Sequence, residues 1–135
     1  MREKRYILLG DPTPLARARM GNQKMWDSQK EHKLVAGLHL RQQHNDEPFF
    51  EGPILLEMSF YLKRPLTGPN RKRHYHSFRP DLDNLIKFIA DISNGVLYDD
   101  DCIIASITAR KIYDEEPRSE FTVRELYAEE PDACI

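Results

Sequence analysis

The sequence predicts an α+β domain in the order β-α-β-α-β-β, with two helices packed on one mixed or mostly antiparallel sheet. Two segments carry apolar residues at helical spacing, one ending near His44 and one between Asp81 and Asn94. Four others read as extended runs: 6–9, 54–62, 102–113 and 119–127. At 135 residues the chain is one domain long. Residues 1–127 are expected to form it, and 128–135 an acidic tail.

Tyr6 to Leu9 is the first strand, and Gly10-Asp11-Pro12-Thr13-Pro14 breaks it. Residues 15–26 read as irregular and basic. Ser28 with Glu31 forms a capping box for the first helix, with Leu34, Val35, Leu38 and His39 on its expected inner face. Asn45-Asp46-Glu47-Pro48 ends it, and Gly52-Pro53 precedes the strand Ile54 to Leu62. Residues 63–80 read as a long loop, since Pro65, Gly68, Pro69 and Pro80 keep regular structure out. The second helix starts near Asp81, carries Leu82, Leu85, Ile86, Ile89 and Ile92 on one face, and stops at Asn94 with Gly95 as its C′ residue. Val96 to Tyr98 reads as a short extended piece. The last two strands are joined by a hairpin-like turn over Asp114–Pro117.

Hydrophobic residues make up 40% and charged residues 31% of the chain, a globular composition rather than a disordered one. A domain of this size buries about 68% of the surface its unfolded chain exposes, enough for a core without staples. No apolar run approaches the ~18 residues of a membrane span, and the N-terminal run is too short for a signal peptide. The two cysteines, Cys102 and Cys134, make no disulfide framework. Free thiols in a cytoplasmic protein are the expectation, with Cys102 in the core and Cys134 in the tail. Trp26, Met20 and Met25 are expected to pack the basic segment on the core.

The formal net charge of −2 hides an asymmetry. Residues 1–80 carry +7 and residues 81–135 carry −9. Such a split points to a polyanionic partner or a metal-binding half. The loop supplies much of the positive side: Lys63, Arg64, Arg71, Lys72, Arg73 and Arg79, with no acid among them. His74, Tyr75 and His76 interleave aromatic rings with those cations. A solvated loop and a phosphate-contacting loop both fit that composition. His74 and His76 lack a third obvious ligand for a zinc site.

The sign of the chain changes at Arg79-Pro80-Asp81-Leu82-Asp83-Asn84-Leu85-Ile86-Lys87. Helix capping alone accounts for Asp81 and Asp83 at the positive dipole end. Residues two apart on a helix point about 200° apart, so the two acids share one ion only if Asp81 lies outside the helix proper. Asp83 and Lys87 stand at i,i+4, which is a surface ion pair or an acid on metal beside a lysine on phosphate. Asp99, Asp100 and Asp101 follow; adjacent carboxylates repel unless solvated or bridged by a cation. Hard divalent ions want such oxygen ligands, and Mg²⁺ takes one or two carboxylates plus phosphate and water. Asp91, a turn beyond Lys87, fits a solvated face or a partner of the site.

This block, continued through Asp91, Asn94-Gly95-Val96 and Asp99-Asp100, resembles the RusA family of Holliday junction resolvases over roughly 79–104. Pro12-Thr13-Pro14 with Arg17-Ala18-Arg19 resembles the family's N-terminal pattern more weakly. The resemblance implies a RusA-like fold and a homodimeric, Mg²⁺-dependent endonuclease, with Mn²⁺ as substitute, found commonly in phages and prophages. It implies paired incisions in four-way DNA junctions during recombination and repair. It places Asp81, Asp83 and Asp100 as metal ligands and Lys87 as the essential lysine. Asp101 is extra to the pattern, and Cys102 and Ile103 stand where the family often has a glutamine and an aliphatic residue. Asp99 and Asp101 therefore stay as alternatives for the third ligand. Arg17, Arg19, Arg71, Lys72, Arg73 and Arg79 are the expected DNA contacts. A non-catalytic DNA-binding module of prophage origin and a nuclease for other branched DNA are the competing readings.

Overall fold

The computed structural model describes residues 2–16, 19–21, 24–26 and 29–126. Among the described residues six strands and two α-helices form in the order β1 (Glu3–Leu9), β2 (Arg19–Gly21), β3 (Lys24–Trp26), α1 (Lys30–His44), β4 (Ile54–Lys63), α2 (Leu82–Ser93), β5 (Ile104–Asp114) and β6 (Arg118–Glu125). The main sheet has the order β1-β6-β4-β5, with β4 parallel to β5 and antiparallel to β6, and β1 antiparallel to β6. The α+β expectation holds, and the sheet is mixed.

β4 is the centre of the core. Ile54, Leu56, Met58, Phe60 and Leu62 alternate onto one buried face, as a period of two requires. α2 lays Leu85, Phe88, Ile89 and Ile92 on the same core. Leu82 and Ile86 are only partly buried, and Phe88, outside the expected set, is the ring that completes the face.

Several expectations change. The 114–117 turn does not form a hairpin, because β4 lies between β5 and β6. It hooks over the end of β4 instead, with Arg64 N–H donating to Asp114 O and Gly10 N–H to Pro117 O. The described residues of 15–26 are not all irregular: Arg19–Gly21 and Lys24–Trp26 pair antiparallel, Arg19 with Trp26. The inner face of α1 is Ala36, Leu40 and His44, while Leu34, Val35 and Leu38 are exposed. Both sets recur at helical spacing; packing of α1 on α2 and β1 buries the second.

The N-cap of α1 is Gln29, not Ser28, and its amide is spent on the preceding segment, bonding Pro14 O and Ala16 N–H at 2.8 Å each. Asp27 and Ser28 lie outside the described residues. Residues 95–97 form a turn rather than an extended piece. Gly95, at φ +75°, donates to Tyr98 O at 2.8 Å, and Val96, Leu97 and Tyr98 are all buried. The 63–80 segment is not structureless: it holds a 3₁₀ turn over Pro69–Lys72 and a bridge from Tyr75 to Ile112 of β5. Among the described residues no helix is long and apolar enough to cross a membrane.

Candidate active site

The start of α2 decides how its acids are presented. Asp81 is the N-cap, with extended backbone (φ −72°, ψ 140°), and its carbonyl accepts from Asn84 and Leu85 N–H at 3.2 Å each. Its side chain makes no capping hydrogen bond. An N-cap Asp ordinarily spends a carboxylate oxygen on the first-turn amides; here both oxygens stay available. Asp83 lies in the first turn, and its carboxylate stands 3.7 Å from the Lys87 ammonium, with both side chains more than half exposed. The apolar face of α2 is turned into the core, which leaves Asp83 and Lys87 at the surface.

The turn at Gly95–Leu97 brings the chain back beside α2, and the Tyr98 hydroxyl donates to Ala90 O at 3.1 Å. Asp99, Asp100 and Asp101 follow and are exposed. Asp100 caps the 3₁₀ turn Asp101–Ile103, which packs on α2. Its Oδ2 accepts from Cys102 N–H at 3.0 Å. The Cys102 thiol and that amide hold the Asp100 carboxyl below the usual carboxylate range, and Asp100 in turn pushes the thiol up. Cys102 is exposed, contrary to the core expectation: the 3₁₀ turn displaces it from the strand alternation. Cys134 and the acidic tail lie outside the described residues, as do the side chains of Trp26, Met20 and Met25.

Asp81, Asp83 and Asp100 are all hard oxygen donors, the chemistry Mg²⁺ requires. Among the described residues no group of three or more His, Cys, Asp or Glu side chains is placed so that it could hold a metal ion, so the structure does not bring Asp81, Asp83 and Asp100 together as one ligand set. Asp91 belongs elsewhere: it pairs with Lys33 of α1 at 3.2 Å.

The basic segment runs straight into this site. Arg71, Lys72, Arg73 and Arg79 are exposed, and none pairs with a carboxylate among the described residues. His76 packs its ring on Tyr113, with centroids 5.0 Å apart. Burial and then the nearby Lys111 lower its pKa, which favours the neutral ring. Tyr75 and Phe78 are exposed rings between the cations. Arg17 lies outside the described residues; Arg19 lies on β2, and its side chain is not described. Leu15 N–H donates to Asn84 O at 2.9 Å, which ties the N-terminal segment to the first turn of α2.

Residues 10–124 match the family model of the endodeoxyribonuclease RusA. The chain belongs to the RusA endodeoxyribonuclease family. A relative from Bacillus subtilis (strain 168), the uncharacterized protein YqaN, is 28% identical over 138 residues, covering 92% of this chain and 97% of its own. The RusA match spans both the basic segment and the acids that follow it.

Two residues stand out that composition did not distinguish from their neighbours. Arg64, read from sequence as one more loop cation, points its guanidinium at main-chain carbonyls rather than at solvent. Lys111, read only as a strand residue, does the same with its ammonium. Only the fold could find either, because their partners are carbonyls up to 49 residues away. A cleft of about 650 Å³ between β1, α1 and α2, lined by Leu9, His32, Val35 and Phe88 among others, includes none of the predicted site residues.

Proposed function

We propose that this protein is a divalent-metal-dependent endonuclease that hydrolyses backbone phosphodiesters in branched DNA, four-way junctions first, in recombination and repair. The observation that carries the reading is Asp81, an acid at a helix N-cap whose carboxylate takes no cap, at the end of a segment whose exposed Arg71, Lys72, Arg73 and Arg79 pair with no carboxylate among the described residues. Membership of the RusA family supports it. Asp81, Asp83 and Asp100 would hold the metal once DNA is bound, with phosphate and water as its further oxygen ligands. A bound Mg²⁺, or Mn²⁺ in its place, supplies a lowered water pKa and neutralises charge on the scissile phosphate. Water attacks phosphorus, the P–O3′ bond breaks, and the products are a 5′-phosphate and a 3′-hydroxyl.

The chain's own groups do the rest. Arg71, Lys72, Arg73 and Arg79 bind backbone phosphates and offset their repulsion by the acids. Lys87 stabilises the charge that develops on the phosphoryl oxygens. Its link to Asp83 is loose enough to yield to a phosphate, since exposed i,i+4 pairs are worth only about 0.3–0.5 kcal/mol. A homodimer would present two such sites to opposed strands, and a twofold suits a four-way junction.

The test is cleavage of a synthetic four-way junction and of linear duplex, with Mg²⁺ and with EDTA. Metal-dependent cutting of the junction is expected, with products paired across the branch. No metal-dependent cleavage of any branched DNA refutes the enzyme, and binding without cutting would leave a DNA-binding module. Asp83→Asn is expected to abolish cutting and keep junction binding; loss of both would make that carboxylate structural.

A further inference from the structure

The basic segment is held by its main chain, and two cations do the holding. At its near end Arg64 Nη1 donates to Arg71 O at 3.0 Å and Arg73 O at 2.9 Å. The same guanidinium reaches Tyr113 O at 3.4 Å and Glu115 Oε1 at 2.8 Å. At the far end Lys111 Nζ donates to Phe78 O at 2.6 Å and Pro80 O at 2.8 Å. Between them the segment is stitched to the edge of β5, with Tyr113 N–H on His74 O and His76 N–H on Lys111 O. A planar guanidinium can bridge several carbonyls at fixed angles, whereas an ammonium is a compact charge with three donors. Each residue type sits where its geometry is used.

We propose that Arg64 and Lys111 are positioning residues that clamp residues 71–80 as a preformed strap, with separate tasks. Arg64 gathers the carbonyls of Arg71 and Arg73 inward, and their side chains, with that of Lys72, point to solvent ready for phosphate. Lys111 holds the carbonyls on both sides of Arg79, the last of them directly before Asp81, and so sets where the uncapped carboxylate begins. Neither touches DNA or the reacting phosphate. The strap's ordering cost is met in the fold rather than at binding, which raises affinity without any new contact. Alignment at Asp81 acts on the chemical step, where a displacement of about 1 Å can cost ~10²-fold in rate. The assignment rests on the nuclease reading above.

The experiment separates the two ends. Junction affinity is measured by fluorescence anisotropy in EDTA, the cleavage rate with Mg²⁺ at saturating protein, and amide hydrogen exchange over 70–73 and 78–85 on the DNA-free protein. Arg64→Met is expected to raise Kd about tenfold, with the saturated rate within about twofold, and to speed exchange over 70–73. Lys111→Met is expected to leave Kd within about twofold, lower the saturated rate about tenfold or more, and speed exchange over 78–85. Lys111→Arg, which keeps charge and donors, restores most of the rate; Arg64→Lys, which loses the fork, does not restore affinity. Thermal unfolding checks that each variant folds. Equal effects of both variants on affinity and rate, or no effect of either, overturn the proposal. Failure of the wild-type protein to bind or cut branched DNA refutes the nuclease reading instead, and the exchange measurement still tests the clamps.

Discussion

Neutralising the strap should change how salt weakens DNA binding, by an amount the structure sets. Arg71, Lys72 and Arg73 are exposed and have no carboxylate partner among the described residues, so each is free to replace a counterion on DNA. Each phosphate so neutralised contributes about 0.9 to the slope of log K against log salt on duplex arms. The triple variant Arg71→Ala, Lys72→Ala, Arg73→Ala should therefore flatten the slope by about 2.7. Between about 50 and 200 mM salt that difference amounts to ~40-fold in relative affinity. A control is Arg5→Ala, whose guanidinium is already paired with Glu120; its slope should move far less. The assay is anisotropy of a labelled four-way junction in EDTA across a salt series. Parallel slopes for the triple variant and the wild type would refute the assignment of these cations to phosphate, whatever the affinity at one salt concentration.

Asp81→Asn should leave thermal stability within ~0.5 kcal/mol of wild type, because the carboxylate makes no capping bond; a loss above about 1 kcal/mol, ordinary for a broken cap, would contradict this. Tyr6→Phe should cost about 1–3 kcal/mol, since the buried Tyr6 hydroxyl bonds His44 Nδ1 at 2.7 Å and Nδ1 would be left without its partner. Burial holds the His44 pKa below its ordinary value near 6.5, so the unfolded chain binds the proton more readily. Its contribution to stability is full above about pH 6.5 and is lost as pH falls through the lower folded value; denaturant titrations from pH 7.5 to 5, at about those limits, showing no fall would exclude a neutral buried His44. Asp100→Asn in a Cys134→Ser background should speed modification of Cys102 by a thiol reagent at pH 8, because Asp100 is what pushes that thiol up. An unchanged rate would remove the contact between them.

The parts of the fold that could be read in advance are those where one local rule has no competitor. α2 combines an apolar stripe, an acid at its start and Gly95 beyond its end, and it lies where those signals put it. β4 is legible as an apolar-rich run after Gly52-Pro53, and its burial alternates along the strand. α1 is not, because two stripes at helical spacing compete, and the choice between Leu34-Val35-Leu38 and Ala36-Leu40-His44 depends on which face of α1 meets α2 and β1. The mixed sheet order was hidden for a related reason. A turn sequence such as Asp114-Glu115-Glu116-Pro117 reports that the chain reverses, and is silent about a third strand arriving in the gap.

The site divides in the same way. Its acids and lysine are legible in sequence because Asp81, Asp83, Lys87 and Asp100 stand at an informative spacing whatever the fold does. The clamps are not, because a cation bonded to a carbonyl has the same letter as one bonded to a phosphate. Charge counting over 63–80 therefore overstates the DNA-facing cations: Lys63 is spent on Glu115 O and Arg64 on the strap itself. It also omits Lys111, which lies outside the segment and yet holds it. What crosses the boundary at Arg79-Pro80-Asp81 is thus more than a change of sign along the chain. On one side side chains face out because their carbonyls are held in, and on the other a carboxylate is free because the main chain alone closes the helix. Both are consequences of where hydrogen bonds are satisfied, and that is the level at which the segment's function has to be tested.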